Sequence, residues 1–249
     1  MPYARSLFAA AVNNAVTGRN PPIAGNVSLT VKISFLLHNA YGVGGTITTT
    51  FNLAGALAER HEVDIVTTFR HRESPVLPLD PRVRLRPVVD IRHEENHPRH
   101  QRRARVFPSA EGLYPKYSEL TDERLGTLLG GLDSDVVIGT RPGLNVHLAA
   151  QAPARLVRIA QEHVTLDGHR PALRSVLRRS YPRLDAVTTV TERDAAAYRR
   201  KMRLPRVRVE ALPNSVPGPP PVPYTPLPPP PPPPPPASRV RETLSKTQH

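Results

Sequence analysis

The chain has 249 residues, 31 of them proline, and 15 of those prolines fall between Pro217 and Pro236, so about 215 residues remain to build a core. That is room for one α/β domain and too little for two full nucleotide-binding domains of about 100–200 residues each. The 34 Lys+Arg against 21 Asp+Glu give a formal charge of +13, carried by 30 Arg and 4 Lys; with no cysteine, disulfide scaffolds and Cys-ligated zinc are excluded, and no apolar run approaches the ~18–20 residues of a membrane helix.

Residues 1–30 mix Ala, Asn, Gly and Pro without periodicity and read as a flexible leader. Ser6–Val12 is only mildly apolar and lacks a small-residue cleavage site, so it reads as an extension rather than a signal peptide. From Val31 short apolar runs alternate with helical periodicity, the sequence sign of βα units around a parallel sheet. Val31–Leu37 reads as a buried strand, and Thr46–Arg60 as a helix with Ile47, Phe51, Ala54, Leu57 and Ala58 on one face. Glu62–Thr68 and Val83–Val89 read as the next two strands.

Between the first strand and helix lies Tyr41-Gly42-Val43-Gly44-Gly45-Thr46. Glycines there let a ligand approach the backbone, and a helix N-terminus offers unpaired N–H groups to an anion. The plainer reading is a turn that only permits tight strand-to-helix packing. A nicotinamide-dinucleotide site fits poorly: the third glycine of G-x-G-x-x-G would fall at Ile47, and the second strand ends in Thr67-Thr68 where a ribose-binding acid is expected. No Gly-Lys-Ser/Thr follows, so the P-loop pattern fails as well.

Residues 90–115 are irregular and basic. Within them His93-Glu94-Glu95-Asn96-His97 matches the zinc-protease string H-E-x-x-H, but Pro98 disfavours helical geometry at His97, and a solvated charged loop accounts for it better. Tyr117–Leu132 reads as a helix and Asp135–Thr140 as a strand. Asp133-Ser134-Asp135 has the form of a D-x-D metal clamp, yet it precedes a strand instead of closing one, so a cap and turn explain it.

A short helix opened by Pro142 follows, then the strand Leu156–Ala160. Gln161-Glu162-His163 lies at that strand's carboxyl edge, where doubly wound sheets place ligands and where a His and a Glu could position and polarise a hydroxyl. The plainer reading for His163 is a pairing with a neighbouring backbone group. Pro171–Leu184 reads as a helix on which Arg170, Arg174 and Arg178 recur every four residues as one anionic-ligand-binding face, joined by the basic segment Arg99–Arg105; the plainer reading is an ordinary solvated face. Such surfaces attract phosphate or anionic lipid. Nucleic acid is not expected, because no interleaved aromatics or helix-turn-helix pattern accompanies the charge.

Ala186–Val190 reads as a strand, and Thr191–Met202 as a helix in which Thr191 and Asp194 have capping-box spacing. Val207–Leu212 is the last strand, leading into Pro213-Asn214-Ser215. Residues 217–249 form a Pro-rich tail expected to be disordered, and its nine consecutive prolines at 228–236 predict a polyproline II rod of roughly 28 Å at ~3.1 Å per residue.

The stretches 31–67, 135–140, 155–168 and 185–217 together resemble the N-terminal half of a family 4 glycosyltransferase of GT-B architecture. The resemblance implies an α/β fold: a single Rossmann-like, doubly wound, mostly parallel sheet over residues 31–216. It implies a hexosyltransferase that moves a hexose from a nucleotide-diphosphate sugar to an acceptor hydroxyl with retention of configuration, without a metal or cofactor beyond the donor. His163 matches the histidine that contacts the transferred sugar, a catalytic role. Gly44, Gly45 and Thr46 match the loop near the donor phosphates, and Glu162, Thr191 and Glu192 would line the same donor and acceptor cleft. The implied partner is the nucleotide sugar; the basic segment Arg99–Arg105 and the Arg170, Arg174, Arg178 face suggest in addition an anionic acceptor or membrane surface, and the expected location is cytoplasmic, peripheral at the inner face of the membrane.

Family members continue into a second Rossmann-like domain, the donor domain, whereas only 35 residues follow Asn214 here, most of them Pro or polar. The donor domain is therefore expected to be missing and the chain truncated and inactive alone. A natural linker, a truncation and a frame-shifted tail all remain open for the proline tract. The alternative reading is a non-catalytic Rossmann-like remnant or interaction module whose rod docks on a polyproline-binding domain.

Overall fold

A computed structural model of the chain describes residues 30–214. The leader and the Pro-rich tail with its expected polyproline rod lie outside the described residues. Seven strands form one sheet: β1 (Lys32–Asn39), β2 (Glu62–Arg70), β3 (Arg84–Asp90), β4 (Val136–Gly139), β5 (Val157–Glu162), β6 (Ala186–Thr189) and β7 (Arg208–Ala211). Their spatial order is β3-β2-β1-β4-β5-β6-β7, and every pairing of adjacent strands is parallel. This is the single Rossmann-like α/β sheet expected over 31–216.

Six α-helices accompany the strands among the described residues: α1 (Gly45–Leu57), the one-turn α2 (Ile91–Glu94), α3 (Glu119–Gly131), α4 (Pro142–Gln151), α5 (Pro171–Ser180) and α6 (Glu192–Met202). Right-handed crossovers dictate their sides. The chain moves one way across the sheet from β1 to β2, and the other way from β3 through β4 to β7. Hence α1 covers one face, with Ile47, Phe51 and Ala54 packed among Ile33, Phe35 and Ile65. The other face carries α3 to α6, with Leu125, Leu144, Leu177 and Tyr198 packed over Leu36, Val137, Ala160 and Val187. Among the described residues no helix is long and apolar enough to cross a membrane.

Strands β1, β2, β3 and β5 run further at their carboxyl ends than their apolar runs predict, whereas β4, β6 and β7 each stop one residue short of theirs. The ladder continues through Asn39↔Phe69, Arg70↔Asp90 and Glu162↔Thr189, so Asn39, Arg70, Asp90 and the buried Glu162 and Thr189 sit on strand backbone at the carboxyl edge of the sheet. Helix ends are set by local chemistry. α3 starts two residues later than its periodicity, behind Ser118, whose N–H donates to Thr121 Oγ1 at 2.9 Å. α5 stops at Ser180 and tightens into a 3₁₀ turn at Tyr181–Arg183, which contains Pro182.

The irregular basic segment is tied to α3. Asp122 is buried in the first turn of α3 and accepts from the N–H groups of Arg105 (2.5 Å), Val106 (2.7 Å) and Phe107 (3.3 Å). Arg99 pairs with Glu123, and Arg102 with Glu119 at 3.2 Å. Much of the positive charge in that segment is therefore spent on the protein's own carboxylates.

Candidate functional site

The strand order reverses between β1 and β4, and in open parallel sheets the crevice at such a switch point is where ligands bind. A cleft of about 210 Å³ lies there. His38 and Asn39 from β1, Thr46 from α1, Arg141 from the turn after β4, and Glu162 and His163 from the end of β5 all line it. Thr46, Glu162 and His163, expected at one site from their positions beside separate strands, are thus brought together.

Gly44 caps α1 with an extended backbone (φ 169°), a conformation open to any residue. A Cβ added at Gly44 or Gly45 would meet nothing within 4 Å. Neither tight packing nor backbone strain demands glycine at these two positions, so what the pair provides is open space before the N-terminus of α1. That helix has no side-chain cap and no acidic residue in its first turn, which leaves its early N–H groups to a ligand or to water. Gly42 differs, since a Cβ there would stand 3.0 Å from Asn39 Nδ2, while Asn39 Oδ1 accepts from the N–H of Tyr41 at 2.8 Å.

His163 is half-buried directly after β5. Desolvation lowers its pKa against a smaller opposing pull from Glu162, so the ring is neutral near pH 7 and able to accept or donate one hydrogen bond. Glu162 reaches the cleft only as a wall. Its side chain is fully buried, and Oε1 accepts from Asn145 Nδ2 at 2.8 Å and from the Tyr181 hydroxyl, while Oε2 lies 3.5 Å from His169 Nε2. Burial first, and the Glu162 charge second, push the Tyr181 phenol far up, so it stays a donor. The carboxylate braces the end of β5 against α4 and the turn after α5.

His38 was not singled out by the sequence, because the apolar run of β1 ends at Leu37. Its Nδ1 is 3.0 Å from the Tyr117 hydroxyl, and its ring packs against Phe69 with centroids 5.3 Å apart. Burial, followed by the charges of Arg141, Lys116 and His71, lowers its pKa to about 3. Arg141 itself is held by Glu111, with Nη2 to Oε1 at 2.7 Å and Nε to Oε2 at 3.2 Å.

Other expected residues lie elsewhere. Thr191 and Glu192 are exposed at the start of α6 and do not line this cleft. Thr191 Oγ1 accepts from the N–H of Asp194 at 3.2 Å, but the other half of the expected capping box is replaced: Asp194 Oδ1 accepts from the N–H of Leu166 at 2.9 Å. Aspartate is one methylene shorter than the glutamate that usually reaches back, and here it turns to the neighbouring segment. Arg170 and Arg178 are exposed, whereas Arg174 pairs with Asp167 at 3.3 Å, a carboxylate shared with Lys201 at 2.7 Å. Glu94 of the H-E-x-x-H string ends α2 and binds Arg124, with Nη1 to Oε2 at 2.7 Å, so the two histidines do not share a helix. Asp133 and Asp135 at the opposite sheet edge hold Lys32, through Nζ at 2.7 Å and the backbone N–H at 2.8 Å.

Residues 43–217 match the sequence profile of Glycosyltransferase Family 4. An exopolysaccharide phosphotransferase of Streptomyces coelicolor is 30% identical over 199 residues, which cover 75% of this chain and 21% of that protein. The chain thus spans about a fifth of the length of that curated relative. Among solved structures, sucrose-phosphate synthase from Thermosynechococcus elongatus is 13% identical with a TM-score of 0.48, over 74% of this chain and 48% of the other. Phytolacca americana UGT2 complexed with UDP-2fluoro-glucose and pterostilbene is 10% identical with a TM-score of 0.45, over 73% of this chain and 53% of the other.

Proposed function

Because the chain belongs to Glycosyltransferase Family 4, we propose that the cleft between β1 and β4 takes part in transferring a hexose from a nucleotide-diphosphate sugar to an acceptor hydroxyl. The observation that carries this reading is the meeting of Thr46, in the first turn of the uncapped helix α1, with the neutral ring of His163 in one cleft at the switch point, while Gly44 and Gly45 lie just before that helix and outside the cleft's lining.

In the proposed reaction the sugar's C1–O bond to the diphosphate breaks and the electron pair leaves on the diphosphate. The acceptor oxygen bonds to C1, and its proton is released with the nucleoside diphosphate. Negative charge grows on the leaving phosphate as the bond breaks, so donors fixed beside it lower the barrier more than donors that must reorient. The early N–H groups of α1 are such donors, and Gly44 and Gly45 leave room for a phosphate to reach them. His163 would hold a hydroxyl of the transferred sugar; its neutrality lets it do so without adding charge beside the reacting carbon.

A titration with UDP-glucose, followed on the amide resonances of Gly44 and Gly45 and the ring of His163, tests the reading. Saturable shifts confined to these groups are expected. No shift at millimolar nucleotide sugar would overturn it.

A further inference from the structure

The segment between β5 and α5 carries two residues of the cleft lining, His163 and Val164, and then turns back into the protein. A 3₁₀ turn at Leu166–Gly168 makes the reversal, with the Gly168 N–H donating to Thr165 C=O at 2.9 Å. Val164, Thr165, Asp167 and Gly168 are exposed, whereas Leu166 and His169 are buried. Beyond β5 itself, the segment is therefore anchored where these two side chains go inward.

The first anchor comes from α6, where Asp194 Oδ1 accepts from the N–H of Leu166 at 2.9 Å. The second comes from β5. His169 Nε2 lies 3.5 Å from Glu162 Oε2, and both atoms are buried with no hydrogen-bond partner among the described residues. Glu162 is a fixed post, because Asn145 and Tyr181 already serve its other oxygen. A buried carboxylate oxygen left without a donor is costly, and the imidazole that faces it can supply one. The ring must then carry its hydrogen on Nε2. The other ionisable groups that feel this carboxylate are Tyr181, Tyr198 and Asp194. Burial first, and the Glu162 charge after it, keep both phenols protonated. Burial also raises the Asp194 carboxyl, against the pull of the Leu166 N–H, and Glu162 adds to the rise. None of the three offers positive charge to Oε2.

We propose that His169 is a positioning residue: by donating from Nε2 to Glu162 Oε2 it latches the segment between β5 and α5 onto the buried carboxylate, and so fixes where His163 and Val164 stand in the cleft. A group that contacts a ligand keeps its geometry only when the residues behind it are themselves locked by packing and hydrogen bonds. The inference rests on the glycosyl-transfer reading for the use made of His163, whereas the latch itself does not depend on transfer.

The first test needs no variant. Imidazole nitrogen shifts of the full chain should show His169 protonated at Nε2, and an unprotonated Nε2 would overturn the proposal. The second compares His169→Leu, which keeps bulk and loses the donor, with His169→Gln, which keeps a donor, under conditions where urea curves show both folded. His169→Leu should displace the resonances of the His163 ring and the Val164 methyls and weaken UDP-glucose binding about tenfold, the order seen when a supporting hydrogen bond behind a contact residue is lost. His169→Gln should restore most of the affinity. Natural affinity in His169→Leu, or an equal loss in both variants, would sink the latch, and if His169→Leu does not fold the nitrogen shifts still decide. UDP-glucose that fails to bind the natural protein would remove the transfer reading instead, with the His169 tautomer and the His163 shifts left to judge the latch alone.

Discussion

The hydroxyl of Tyr117 lies 3.0 Å from Nδ1 of His38 and so ties the carboxyl end of β1 to the segment just before α3. Tyr117 in turn stacks on Phe107, ring centroids 3.5 Å apart at 13°. On the neighbouring strand the Thr68 hydroxyl donates to Leu37 C=O at 3.4 Å. The bond between His38 and Tyr117 fixes one imidazole tautomer, Nδ1–H if the phenol accepts and Nε2–H if it donates. Tyr117→Phe should remove this restraint. The expected result is a single tautomer in the natural protein and a mixture in the variant, read from imidazole nitrogen shifts, with a stability loss of about 1 kcal/mol. Unchanged shifts would show that the phenol does not orient the ring.

His38 also gives the fold an acid-sensitive element. Its folded pKa, about 3, lies below the ordinary value of 6.5, so between those values the unfolded chain binds the extra proton. Stability contributed by the neutral ring is complete above pH 6.5 and declines as pH falls toward 3. His38→Gln should flatten the stability profile across that window, measured by urea denaturation at a series of pH values. A profile as steep as that of the natural protein would place the acid sensitivity elsewhere.

Asp122 adds a second acid-labile restraint with a different location. Burial alone would raise its pKa, but the bond to His147 and the N–H groups of Val106 and Arg105 outweigh it and hold the carboxylate below its usual range. A depressed carboxylate stabilises the fold above its unfolded pKa and loses that contribution as pH drops through the folded one. Asp122→Ala removes the acceptor for three backbone N–H groups and leaves buried His147 Nε2, now 3.2 Å from Oδ1, facing nothing. A loss of about 3–5 kcal/mol is expected by chemical denaturation, together with early hydrogen exchange at 105–107. A loss under about 1 kcal/mol would mean the loop is held by other contacts.

The strands and five of the helices were legible because each carries its own apolar period. What could not be read was anything set by contacts between distant segments. The inward turn of Glu162 follows from strand parity: once β5 extends through Glu162, its side chain shares the face of Ala160, which packs under α4 and α5. By the same parity His38 shares the face of Leu36, beside Phe69 and Tyr117. Both orientations were hidden by polar residues that ended the apolar runs early. His163 was legible from position alone, whereas His38, one of ten histidines, gained meaning only when Tyr117 and Lys116 arrived beside it from 79 residues or so along the chain.

The glycines offer the sharpest separation of folding from binding. A Cβ at Gly143 would lie 2.1 Å from Cε2 of Phe107, inside the ring that stacks on Tyr117. Gly143→Ala should therefore force the ring aside and cost about 1–3 kcal/mol, the usual penalty of overpacking a filled core. Gly44→Ala meets no atom within 4 Å and keeps an ordinary extended backbone, so stability should change by no more than about 0.5 kcal/mol. Its methyl group would nevertheless stand in the open space before α1, where the proposed donor phosphate approaches the early N–H groups. Nucleotide-sugar binding should weaken in Gly44→Ala and further in the Gly44→Ala, Gly45→Ala double variant, while thermal unfolding stays where it was. The pairing of the two measurements is what decides: weakened binding with a displaced melting temperature would trace the effect to the helix itself, and unchanged binding in a stable double variant would remove the phosphate from this end of α1.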